Sequence, residues 1–98
     1  MDNEKDLKLK IESATFKKFL DHLNQNPEIQ NIDLMILADF CRNCISKWYM
    51  KEAENHGLDI NYDEAREIVY GMPYSEWKSK YQKDATPEQQ AAIAKLKD

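Results

Sequence analysis

The residue types with the most evident chemistry are Cys41 and Cys44, three positions apart in "DFCRNCISKWY" (39–49). Two thiolates at i and i+3 share a helix face, so the pair is half of a site for a soft metal. Zinc needs two further ligands, and the histidines available are His22 and His56. On a continuous helix His56 lies about 18 Å beyond Cys44. In an antiparallel pair of helices His22 falls roughly 7 Å short of Cys41 along the axis. A site within one chain is therefore geometrically awkward, whereas one shared between subunits stays open. Zinc or iron is the cofactor such a site would hold, though neither is the favoured reading.

A redox dithiol is the second chemical reading. It depends on a lowered thiol pKa, usually supplied by the positive end of a helix. If the helix begins near residue 32, about two turns precede Cys41 and that help is mostly lost. Arg42 and Lys47 are the nearby cations, and a helical wheel points Arg42 away from the core. The third reading is packing. Free cysteine is among the most buried residue types, and Leu34, Leu37, Ala38, Cys44, Ile45 and Trp48 share the face of Cys41. Packing is the reading this stripe favours.

Other constellations are weaker. Ser46, His22 or His56, and Asp39 supply the residue types of a hydrolytic triad, but nothing in their spacing brings them together. "DINYDEAREIVY" lacks the loop glycine and ligand spacing of a calcium-binding EF-hand. There is no glycine-rich nucleotide loop. No catalytic constellation is found, and the expected role is non-catalytic. The aromatic residues Trp48, Tyr49, Tyr70, Tyr74, Trp77 and Tyr81 suit either core packing or a protein-binding surface.

Those residues must be positioned by helices. The 98 residues include only two glycines and three prolines, too little punctuation for many short strands. With 42% hydrophobic and 33% charged residues, the composition is that of a soluble globular domain. We expect an all-α, single-domain bundle of four or five helices over residues 1–98, around a long central helix. Residues 1–12 read as a flexible arm. A first helix starts at Ser13 or Thr15, with Phe16, Phe19, Leu20 and Leu23 on one face, and the short loop "NQNPEIQN" around Pro27 ends it. The central helix runs from about 32 to 55, capped by Asn31 or Asp33 and stopped by Gly57. Asn61 caps the next, with Asp63 and Glu64 in its first turn and Gly71 at its end. Thr86, Pro87 and Gln89 form a capping box that opens a peripheral helix over 84–98.

The central helix also carries apolar residues off its main stripe, Ile36 and Phe40 among them. A helix apolar on more than one side is often covered by a partner subunit. Ile36, Phe40, Trp48, Tyr74 and Trp77 are accordingly the expected contact residues of a homo-oligomer or of a protein partner.

Charge bounds the partners. The net charge of -4 is concentrated in residues 59–77, where five acids face Arg66 alone. No basic stripe is present to neutralise a phosphate backbone, which argues against nucleic acid. No apolar run approaches a membrane span, and "MDNEKDLKLK" lacks a secretory hydrophobic segment. The expected location is cytoplasmic, with both cysteines reduced.

Two stretches, "QNIDLMILADFCRNCISKWY" (30–49) and "DEAREIVYGMPYSEWK" (63–78), resemble the small bacterial helical proteins of the domain of unknown function 1244. The similarity runs from about Phe16 to Gln82. The family pattern commonly carries Asn and Gly where this chain has Ile36 and Asp39. The resemblance implies a compact, oligomeric helical protein and brings no established activity.

Overall fold

The computed structural model describes residues 3–96. Among them are six helices and no strand: α1 (Glu4–Asn24), α2 (Asn31–Ala38), α3 (Arg42–Asn55), α4 (Tyr62–Tyr70), α5 (Tyr74–Tyr81) and α6 (Pro87–Leu96). The all-α expectation holds, with six helices rather than four or five. No helix among the described residues is long and apolar enough to cross a membrane.

The first correction concerns the amino-terminal segment. Residues 4–12 are helical and continuous with the rest of α1, rather than an irregular arm. Asn3 is the N-cap, its side chain accepting the Asp6 amide at 2.8 Å, and Glu4 and Asp6 oppose the helix dipole. That local capping signal precedes the apolar stripe by more than two turns, so periodicity placed the start too late.

The second correction concerns the central helix. It is interrupted after Ala38. Asp39 takes a left-handed conformation (φ 57°), its amide bonded to the Met35 carbonyl, and Cys41 is extended (φ −148°, ψ 177°) before α3 begins. A left-handed residue followed by an extended one ends one helix and caps the next. The cause lies in Arg42. Its Nη1 donates to the Ile29 carbonyl (2.8 Å) and to Asn31 Oδ1 (3.1 Å), and its Nη2 to the Asn26 carbonyl (3.2 Å). Its backbone amide also donates to Asn31 Oδ1. Restarting the helix turns Arg42 inward, where it is fully buried, opposite to the direction an unbroken helix would impose.

The cap expected at Asn31 or Asp33 falls instead on Gln30, with Asp33 completing the capping box from inside α2. The signals at α4 and α6 hold. Asn61 and Glu64 cap each other at the start of α4, and Gly71 ends it at φ 74°. A β-carbon at Gly71 would also crowd the Asn24 amide, which donates to the Val69 carbonyl. Thr86 and Gln89 form the expected capping box of α6.

The core joins Leu20 and Leu23 of α1, Leu34 of α2, Cys41 and Ile45, Val69 and Tyr70 of α4, and Trp77 of α5. α3 lies chiefly along α4, with the small buried residues Ala53 and Ala65 on the two helices, and α6 covers α2. α1 is held only near its carboxyl end. Every residue from 3 to 19 is exposed, and the molecule measures 56 × 28 × 25 Å. Its radius of gyration is 15.8 Å, against about 12.6 Å for a compact chain of this length.

Candidate functional site

The thiol pair sits at the junction between α2 and α3. Cys41 is the residue capping α3 and Cys44 lies in its first turn, with the two Sγ atoms 3.7 Å apart. Cys41 is buried and Cys44 partly exposed. Burial pushes the Cys41 thiol up, against the backbone amides of Cys44 and Asn43, which pull it down. The expectation that two helical turns precede Cys41 is overturned, because α2 ends before it. The pair therefore stands at a positive helix end. The first turn of α3 carries no acidic residue.

The histidines do not join it. His22 belongs to the last turn of α1, and His56 caps the end of α3, where its Nδ1 lies 2.8 Å from the Glu52 carbonyl. Among the described residues no group of three or more His, Cys, Asp and Glu side chains is placed to hold an ion. Ser46 is buried and donates to the Arg42 carbonyl, away from either histidine, so the triad residue types stay dispersed.

The expected core stripe splits at the same junction. Ile45 is buried as expected, but Leu37 is 83% exposed and Trp48 58% exposed. Neither lies beside the cysteines in the interior, since the break at residues 39–41 rotates α2 and α3 out of a common register. Trp48 instead flanks a surface groove of about 420 Å³ with Phe16 and Phe19 of α1 and with Ala38, Phe40 and Ile45. The rings of Phe19 and Phe40 lie 6.3 Å apart, joining α1 to the α2–α3 junction.

The five expected contact residues separate accordingly. Trp48 is on the surface, Phe40 and Ile36 are half-buried, and Phe40 packs on the core edge. Tyr74 is half-buried against Tyr70, with ring centroids 5.3 Å apart. Trp77 is a correction: it is 1% exposed, enclosed by Tyr70, Tyr81 and Arg42, and presents no surface.

Sequence reasoning missed a partly buried polar cluster. Asn31 Nδ2 donates to the Tyr70 hydroxyl at 3.0 Å, and that hydroxyl donates to Asn43 Oδ1 at 2.7 Å. With Arg42 on Asn31 Oδ1, four side chains from α2, α3 and α4 form one chain of hydrogen bonds. Burial raises the Tyr70 hydroxyl far above its ordinary value and lowers Arg42. The available signal was an arginine set between two cysteines in an apolar segment, a charge needing partners if the segment is core.

A family model described as a protein of unknown function, DUF1244, matches residues 29–95. No curated protein matches the chain. The match spans α2 to α6 and leaves the whole of the exposed helix α1 outside it.

Proposed function

The chain belongs to the DUF1244 family of proteins of unknown function, and from that premise we propose that it is a non-catalytic, self-associating helical module. A second copy covers its apolar groove. The observation that carries this reading is α1, a helix about 31 Å long whose residues 4–19 are all exposed. Helices in proteins draw most of their stability from packing an apolar face rather than from propensity. Leu9, Phe16 and Phe19 supply such a face; Leu9 is 59% exposed and Phe19 42%.

The groove that needs an occupant and the helix that needs support belong to the same chain. Two copies related by a two-fold axis satisfy both at once, each α1 lying against the Phe16–Phe40–Trp48 surface of the other. Charge permits it: α1 carries five lysines against four acids, so two such helices do not repel strongly. Phe16 and Phe19, already partly covered at 36% and 42% exposure, each contribute less than the roughly 1.5–3 kcal/mol of full burial.

Sedimentation velocity and light scattering test the reading. The native protein is expected at twice the chain mass of 11.6 kDa, and Phe16→Glu and Trp48→Glu are expected at the single-chain mass with the core helices intact. Phe40 is a poorer choice, because it also packs on the core. Glu67→Gln, on the exposed face of α4, is the control that should keep the native mass. A native protein that remains a single chain at millimolar concentration would remove the proposal.

A further inference from the structure

We propose that Cys41 and Cys44 form a reversible dithiol–disulfide couple that exchanges with a small disulfide such as oxidised glutathione. This rests on the α2–α3 junction and not on self-association. The two sulfurs are 3.7 Å apart, so closure to a bond of about 2.05 Å needs only a short approach. Cys41 stands outside the helix in an extended conformation. Its side chain is free of the preceding-turn clash that restricts χ1 inside a helix, so it can rotate toward Cys44. At the N-terminal end of α3 the amides of Cys44 and Asn43 offset part of the burial that pushes the Cys41 thiol up, and no acid stands in the first turn.

The two cysteines are unequal, and that inequality assigns their roles. Cys44 is the more exposed and meets the incoming disulfide. Its thiolate attacks one sulfur of oxidised glutathione, whose S–S bond breaks, and one glutathione leaves as a thiolate that takes a proton from solvent. Cys41, buried beside it, then loses its proton to solvent and attacks Cys44 Sγ. The mixed disulfide breaks and the second glutathione departs in the same way. Two protein thiols are oxidised to one disulfide, and one glutathione disulfide is reduced to two thiols. Excess reduced glutathione reverses both steps.

The test equilibrates the native protein with glutathione buffers of varied ratio at neutral pH, followed by acid quench, alkylation and intact-mass measurement. A single-chain species lighter by two hydrogens and carrying no alkyl group is expected to grow as the buffer becomes oxidising. The Cys41→Ser variant should accumulate glutathione on Cys44. The Cys44→Ser variant should react at least about tenfold more slowly, since Cys41 is buried and its thiol is pushed up. Circular dichroism of both variants verifies that they are folded. Native protein that keeps two alkylatable thiols, or stops at glutathione adducts without closing, would overturn the proposal. A faster reaction at Cys41 than at Cys44 would overturn the assignment of roles.

Discussion

The guanidinium carbon of Arg42 lies 5.0 Å from the centroid of the Trp77 ring, and both side chains are sealed from solvent. Arg42 stacks on the ring while its nitrogens hold the carbonyls of Asn26 and Ile29. One residue thus fastens the α1–α2 connection, the start of α3 and the aromatic core of α5. Replacing it with Met keeps most of the packing but removes the donor to the Ile29 carbonyl, while the Asn26 carbonyl keeps the Ile29 amide. An unpaired group costs about 1–3 kcal/mol, so Arg42→Met should lower stability by about 1–3 kcal/mol in urea titrations. Lys should recover only part of this, because one ammonium cannot reproduce a planar fork. A loss under about 0.5 kcal/mol would mean that the contacts contribute nothing net.

Tyr70 predicts an alkaline weakness. Burial, foremost, raises its hydroxyl above the ordinary 10.0 in the folded chain. The unfolded chain therefore releases this proton first as pH rises. The contribution is intact below about 10 and is lost as pH climbs toward the folded value, at up to about 1.4 kcal/mol per pH unit. Tyr70→Phe loses the bonds to Asn31 and Asn43 and is less stable at neutral pH, but it lacks this ionisation. The stability gap between the two proteins should narrow above pH 10.0. Parallel curves would assign the alkaline loss to other groups.

Asp39 separates backbone strain from side-chain contact. It is the one residue other than glycine with positive φ among those described. Gly adopts that conformation freely, whereas Ala meets its β-carbon clash. Asp39→Gly should exceed Asp39→Ala in stability by about 1 kcal/mol. Equal midpoints in thermal unfolding would show that residue 39 moves out of the left-handed region when substituted.

The helix α1 should behave as a concentration-dependent element. If its support comes from a second copy, backbone amides of residues 8–18 exchange quickly at low concentration and slowly at high concentration. Those of the buried α4 core, around Val69 and Tyr70, should not change. Hydrogen exchange followed by mass spectrometry over a dilution series reads this directly. Full protection of α1 at the greatest dilution would make the arm stable alone.

Much of the helical outline was legible because its signals are local. Asn61 with Glu64, Thr86 with Gln89, and Gly71 each act within four residues, and each lies where its chemistry required. The family resemblance was legible for a similar reason, since it rests on two contiguous stretches. Leu20, Leu23 and Ile45 were also recoverable as core from periodicity. On α4 the face formed by Ala65, Val69 and Tyr70 is buried and leaves Ile68 44% exposed.

The sequence by itself determined the all-α class, the helix ends at Asn61, Gly71 and Thr86, and the placing of two cysteines three residues apart. Tertiary structure alone decided that the chain breaks between Ala38 and Arg42, and with it everything about the site. No glycine or proline marks that break, because its cause is not local. Arg42 reaches carbonyls 13 and 16 residues earlier in the chain, and a buried guanidinium must find such acceptors or go unpaired. Meeting that demand restarts the helix at Cys41, moves both thiols from a helix interior to a helix beginning, and turns Trp48 out onto the groove beside α1.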